Sequence, residues 1–237
     1  MKELVSICVP VYEMGGYGIG MFKNLMGSIK KQNYDNIQVV VSDHSKDKIF
    51  KEVCNEFDFN IKYITYSEKY GNGPANTNNA VRNSDGNIIK TIFQDDFLIH
   101  NQAIEKMVDC LNTSNGWIAA GCLHTNTEGN VLERPHIPRW GGMGEDKSVS
   151  SYIARDQVIG CPSIIMFKKH KALEFNERIT MLMDYDFYYQ LGRLYGNPEI
   201  LKEYLIGVRV WPGSITSRTG YASNDKEKQL MIKMYDK

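Results

Sequence analysis

In Ile88-Ile89-Lys90-Thr91-Ile92-Phe93-Gln94-Asp95-Asp96, residues 88–93 read as a buried β-strand whose end is marked by two adjacent carboxylates. The run is short, apolar and rich in β-branched residues, as in a strand covered on both faces. Two carboxylates at its end are costly unless something cationic uses them. In open α/β sheets, ligands bind outside the carboxyl ends of the strands. A divalent metal carrying a diphosphate suits such a place, because hard cations take carboxylate and phosphate oxygens together.

The same pattern recurs upstream. Residues 4–11 form an apolar run that ends at Pro10-Val11-Tyr12-Glu13, and residues 37–41 form another that ends at Ser42-Asp43-His44-Ser45. Phe22, Leu25, Met26 and Ile29 fall at helical spacing between them, and Ile49, Val53 and Phe57 suggest a second helix. A short strand is expected over residues 61–65, and Pro74 suits the first turn of a helix. Ile104, Met107, Val108 and Leu111 mark another helix, and residues 117–122 another strand. This alternation predicts an α/β fold with a doubly wound, mostly parallel sheet over the first half of the chain.

After about residue 124 the pattern loosens. Residues 126–146 are polar and glycine-rich, which predicts a hairpin followed by a mobile loop that closes over a ligand. Strand character returns over residues 158–167 and 200–211, with a helix over 185–195 and a polar, helical or frayed tail from residue 223. No linker or internal repeat interrupts the chain, so residues 1–237 are read as one domain. A nucleotide-binding half spans 1–124 and an acceptor-binding half 125–222.

Composition narrows the function. The 237 residues carry 28 Lys+Arg and 28 Asp+Glu, a formal net charge of zero, which argues against a general nucleic-acid binder. No apolar run approaches the roughly 20 residues needed to span a bilayer. The opening Met1-Lys2-Glu3-Leu4 lacks the apolar segment of a signal peptide. The five cysteines form no C-x-x-C pair and read as core residues of a reduced, cytoplasmic protein, with peripheral membrane attachment left open.

Three strand ends carrying carboxylates share one edge in a parallel sheet. A lone aspartate after a strand is also an ordinary turn or capping residue; three that converge point to a ligand. The glycine cluster at 15, 16, 18 and 20 admits neither a G-x-G-x-x-G nor a P-loop order and reads as a flexible turn.

These segments, taken in order, resemble the inverting family 2 glycosyltransferases of the GT-A fold, such as the bacterial and viral members that build polysaccharides and other glycans. Residues 5–13 resemble the family's opening strand. Gln32-Asn33-Tyr34 resembles the end of its first helix, and Val39-Val40-Val41-Ser42-Asp43-His44-Ser45 its second strand. Residues 73–80 resemble its Gly-x-x-x-Ala-Arg-Asn helix, Phe93-Gln94-Asp95-Asp96 its DXD region, and Leu182-Met183-Asp184-Tyr185-Asp186 the region of its catalytic base.

The resemblance implies a donor linked to UDP, GDP or dTDP and a glycan, lipid-linked or other hydroxyl acceptor. It implies nucleotide contacts at Pro10, Tyr12, Glu13, Asp43, Ser45, Asn79 and Gln94, a metal ligand at Asp95, and sugar or acceptor contacts at Asp96, Pro162, Ser163 and Trp211. It implies catalytic carboxylates at Asp184 and Asp186, with Asp184 as general base, and Mg2+ or Mn2+ as cofactor. Two departures bear on the metal. Phe93 stands where the motif has its first aspartate, and Trp211 where many members have a histidine. The resemblance therefore implies a metal that is weakly held or optional. A sugar-nucleotide pyrophosphorylase-like nucleotidyltransferase and a non-catalytic sugar-nucleotide binding module are the alternatives, and oligomeric state is left open.

Overall fold

A computed structural model describes residues 2–155, 157–214 and 225–236. Four parallel strands open the chain: β1 (Val5–Val11), β2 (Ile37–Asp43), β3 (Ile61–Thr65) and β4 (Ile88–Thr91), in spatial order β3-β2-β1-β4. Every residue of β1 but Pro10 is buried, as a run of β-branched residues in a central strand requires. The registers Val11↔Asp43 and Cys8↔Thr91 bring the ends of β1, β2 and β4 to one edge. Pairing with β4 has stopped before Pro10, so its missing N–H costs no ladder bond on that side.

Helices α1 (Gly18–Lys30), α2 (Phe50–Asn55) and α3 (Gly73–Arg82) cross between these strands. The expected stripe of α1 is buried, with Phe22 edge-on to Phe50 of α2 at a centroid distance of 5.4 Å. Asn72 caps α3 by accepting from the Ala75 amide at 2.8 Å, and Pro74 sits in its first turn.

The second half extends the same sheet as a mixed one. Strand β5 (Phe97–Leu98), helix α4 (Ala103–Thr113), strands β6 (Trp117–Thr125) and β7 (Val131–His136), and helix α5 (Val149–Ile153) come next along the chain. Strand β8 (Ile165–Lys168), helix α6 (Met183–Tyr195), strand β9 (Glu199–Arg209) and helix α7 (Asp225–Tyr235) complete it. Beyond β4 the sheet runs β8-β6-β9-β5, with β7 paired to β6. Strand β8 is antiparallel to both β4 and β6, and β9 is parallel to β6. The strand expected over 158–167 is shorter, because Pro162 opens a 3-10 turn (Pro162–Ile164) before β8.

A second apolar cluster of Met143, Val149, Tyr152, Ile179, Leu182, Tyr189 and Met231 joins α5, α6 and α7. The segment expected to be a mobile loop is docked onto it. Gln157 Oε1 accepts from the Gly141 amide at 3.0 Å, Gln157 Nε2 donates to Gly142 O at 2.7 Å, and Met143 is buried. Among the described residues no helix is long and apolar enough to cross a membrane.

Candidate active site

The sheet edge is built by side chains that finish what the backbone ladders leave undone. Gln94 is buried and pairs with the Tyr12 backbone in both directions. The Tyr12 amide donates to Gln94 Oε1 at 2.6 Å, and Gln94 Nε2 donates to Tyr12 O at 2.9 Å. Its amide replaces a rung of the β1–β4 ladder. A β-carbon at Gly18 would lie 2.5 Å from Gln94 Nε2 and 2.7 Å from Tyr12 O, so only glycine fits beneath this pair. The sequence placed Gln94 with the nucleotide ligands; its polar atoms are instead engaged by the backbone.

Asp43 is buried at the end of β2, where Tyr63 donates to Oδ2 at 2.5 Å and the Ser45 amide to Oδ1 at 2.8 Å. Ser45 Oγ is buried and has no hydrogen-bond partner among the described residues. Glu13 accepts from the Lys46 amide at 2.6 Å and from Tyr70 Oη at 3.0 Å. Burial would raise its pKa, but these two donors together with the Lys46 charge hold it below the usual value. Asn79 of α3 donates to Ser42 Oγ at 2.8 Å, Ser42 Oγ donates to Asn76 Oδ1 at 2.6 Å, and Asn76 donates to Val11 O at 3.2 Å. The asparagines of α3 thus tie that helix to both strand ends.

The β4 carboxylates sit behind a buried arginine that the sequence reading missed. Arg209, near the end of β9, donates to Asp95 O, to Asn24 Oδ1 at 2.9 Å and to Thr127 O at 3.2 Å. Its guanidinium lies 4.8 Å from the Phe97 ring centroid. Its backbone amide donates to Asp96 Oδ1 at 3.1 Å, and Cys161 Sγ lies 3.8 Å from Asp96 Oδ2. Burial raises both carboxyl pKa values. The Asp95 charge raises that of Asp96 further, and Arg209 opposes the rise at both. Arg209 follows the run Leu205-Ile206-Gly207-Val208, and nothing in its spacing ties it to Asp95 or Asp96.

Asp95 Oδ2 accepts from the Trp211 indole at 3.0 Å, and the Trp211 ring lies 5.6 Å from that of Tyr17. The 3-10 turn carrying Pro162 and Ser163 is clamped to β4. Thr91 Oγ1 donates to Pro162 O at 2.7 Å, and the Phe93 amide donates to Ser163 Oγ at 2.9 Å. The fully buried Lys90 donates to Ser163 O, to Thr91 O at 3.0 Å and to Ile165 O at 3.4 Å. Burial lowers its pKa to about 7, against the charges of Cys161 and Asp96. Lys90 was visible in the sequence as the one charge within residues 88–93.

Asp184 and Asp186 lie in the first turn of α6, about 200° apart around the helix, so they face different ways. Asp186 is fully buried and turned toward α7. Gln190 Nε2 donates to its Oδ2 at 2.8 Å, and burial raises its pKa against the hydrogen bonds of Gln190, Tyr235 and Asn176. Asp184 is half-buried, with the Tyr185 amide on Oδ1 at 2.8 Å. Burial, with a smaller push from Glu227, raises its pKa to about 6 against the bond from the Tyr185 amide.

No group of three or more His, Cys, Asp or Glu side chains among the described residues is placed to hold a metal ion. Phe93 supplies no ligand, the Trp211 N–H donates where a histidine would accept, and Asp96 is occupied internally. The donor set does not make a protein cage. It fits a cation only as one that arrives with phosphate oxygens and meets Asp95 alone.

The family model described as glycosyl transferase family 2 matches residues 6–174. A glycosyltransferase of Methanocaldococcus jannaschii, itself uncharacterized, is 24% identical over 97% of this chain and 77% of its own length. Glycosyltransferase GlyA of Streptococcus pneumoniae is 27% identical over 58% of this chain, an alignment that spans only 19% of GlyA. S. aureus TarS 1–349 in complex with UDP-GlcNAc superposes with a TM-score of 0.70 at 15% identity, over 98% of this chain and 66% of that one. A mannosyltransferase of Pyrobaculum calidifontis, in complex with GDP-Man and Mn2+, gives 0.64 at 15% identity over 93% and 59%. At that identity the likeness lies in the fold, an α/β arrangement of the GT-A type.

Proposed function

The chain belongs to glycosyl transferase family 2, and from that membership we propose that it transfers a sugar from a nucleotide-diphosphate sugar to a hydroxyl acceptor with inversion. The observation that carries the reading is the convergence of Asp43, Ser45 and Asp95 on one sheet edge. The α3 asparagines tie two of the three strand ends together. The unpartnered Ser45 hydroxyl and the Asp43 carboxylate suit a nucleoside, with Tyr12, Glu13 and Pro10 along its side and Asn79 toward the diphosphate.

The structural neighbours in complex with UDP-GlcNAc or with GDP-Man and Mn2+ support a donor of this class. Asp95 would hold a Mg2+ or Mn2+ ion that enters with the diphosphate, and such an ion neutralises charge on the leaving group. Asp184 is assigned as the general base. It takes the proton of the acceptor hydroxyl as that oxygen attacks the anomeric carbon, and a carboxyl poised near pH 6 is largely ionised at neutral pH. Asp186, turned into the packing against α7, is assigned a structural role. Trp211 is assigned to the sugar or acceptor side of Asp95, and the buried Asp96, Pro162 and Ser163 are assigned to bracing that region from behind. The five free cysteines suit a reducing, cytoplasmic setting.

A panel of UDP-, GDP- and dTDP-sugars tests the reading. Release of nucleoside diphosphate, by transfer or slow hydrolysis, supports it. Release of pyrophosphate would indicate a nucleotidyltransferase, and binding without turnover a non-catalytic module.

A further inference from the structure

A carboxylate from the C-terminal helix is seated on the backbone that carries Asp184. Glu227, in the first turn of α7, accepts from three successive amides. Oε1 takes Thr180 N at 2.9 Å and Met181 N at 3.2 Å, and Oε2 takes Met181 N at 3.0 Å and Leu182 N at 2.7 Å. The Thr180 hydroxyl adds a fifth donor contact at 3.3 Å. Successive amides converging on one anion form a nest; the Leu182 amide is that of the α6 N-cap, and Thr180 and Met181 are the two residues that lead into it.

The far end of α7 repeats the device. Asp236 accepts from Val149 N at 2.7 Å, Ser150 N at 2.9 Å and Ser150 Oγ at 2.6 Å, at the start of α5. Between the two carboxylates, Met231 is fully buried and Tyr235 packs 5.1 Å from the Tyr189 ring. Helix α7 therefore spans the N-terminal ends of α5 and α6 and fixes one against the other.

We propose that Glu227 is a positioning residue for the transfer reaction: it holds the 180–182 backbone that leads into the first turn of α6, where Asp184 stands. The inference rests on Asp184 being the base. The groups facing Asp184 are Glu227 from α7, Tyr152 from α5, and Tyr188 and the Tyr185 amide from its own helix. Of these only Glu227 brings a second carboxyl group, and it disfavours ionisation of Asp184.

The test uses the full chain with Glu227→Gln, Glu227→Asp and Asp184→Asn. Protein labelled at the aspartate γ-carboxyl carbon is titrated by NMR, with the Asp184 resonance assigned by its loss in Asp184→Asn. Nucleoside diphosphate release from UDP-GlcNAc and GDP-mannose is followed across pH. Glu227→Gln, which removes the carboxylate and sets an NH2 that cannot accept against one end of the nest, should move the Asp184 midpoint and the acid limb of kcat to lower pH and lower kcat as well. Glu227→Asp, whose shorter arm keeps the charge but withdraws it from the amides, should lower kcat by about 10–100-fold with donor KM within about twofold. An Asp184 midpoint and kcat unchanged in both variants, with Asp184→Asn inactive, overturn the role of Glu227 and leave the base assignment standing. Turnover retained by Asp184→Asn overturns both.

Discussion

The indole N–H of Trp211 donates to Asp95 Oδ2 at 3.0 Å, so the carboxylate best placed to meet a metal already has one oxygen engaged by a group that cannot ligate one. The bond also opposes the burial that raises the Asp95 pKa. Trp211→His replaces this donor with a group able to ligate. Mn2+-dependent affinity for a nucleoside diphosphate should rise by about tenfold or more in this variant, a change of the size that ligand-shell substitutions produce. Asp95→Asn should abolish the Mn2+ dependence that remains. Titration calorimetry with UDP and GDP, with and without Mn2+, measures both. An identical Mn2+ effect in the parent and both variants would place the cation elsewhere.

Gln94 is expected to contribute to stability more than to binding. Gln94→Ala removes the two bonds that Gln94 makes to the Tyr12 backbone, and each such part-buried bond contributes about 1 kcal/mol. Gly18→Ala forces a methyl against the same pair and should destabilise comparably. Urea unfolding reads both effects. A Gln94→Ala protein of parental stability with weakened nucleotide binding would reverse the assignment.

Lys90 should make stability depend on pH in a set direction. Its folded pKa, about 7, lies below the roughly 10.4 of an unfolded lysine. Between those values the unfolded chain binds more protons, so stability rises with pH across about pH 7 to 10 and loses that contribution as pH falls through the window. Lys90→Met removes this slope, while leaving Ser163 O, Thr91 O and Ile165 O without their donor. Denaturant midpoints at pH 7 and pH 10 for parent and variant check it. Equal pH slopes would show that the ammonium stays charged throughout.

The fold was legible where burial alone decides. The runs that became β1, β2 and β4 are apolar on both faces, and the stripes of α1 and α4 follow the helical period. It was less legible where polar side chains replace backbone. The sequence continued β4 through Phe93, yet the strand ends at Thr91 because the Phe93 amide turns to Ser163 Oγ. Gln94 looks like a ligand-facing amide until its partner Tyr12, 82 residues away in sequence, is seen. Arg209 and Glu227 act on Asp95, Asp96 and Asp184 from distant segments, and no spacing in the sequence announces them. The pair Asp184 and Asp186 was visible, but which of them faces the packing required the turn of α6.

Asp184 also has a stability signature. Its folded pKa of about 6 lies above the unfolded value near 3.9. Its charged form is therefore disfavoured by the fold, and stability is lost as pH rises through about 4 to 6. Asp184→Asn should raise the Tm at pH 7 and leave it little changed at pH 4. A lowered Tm at pH 7 would assign the carboxylate a structural role.

Real-time proton NMR of a nucleotide sugar with the parent protein and with Asp184→Asn tests the central claim most directly. From an α-linked donor the parent should release nucleoside diphosphate and form a β-configured product, with an acid limb near pH 6. Asp184→Asn should bind the donor with near-parental affinity and turn over about 10²–10⁴ times more slowly. Pyrophosphate as product, retained α configuration, or an undiminished rate in Asp184→Asn would contradict it.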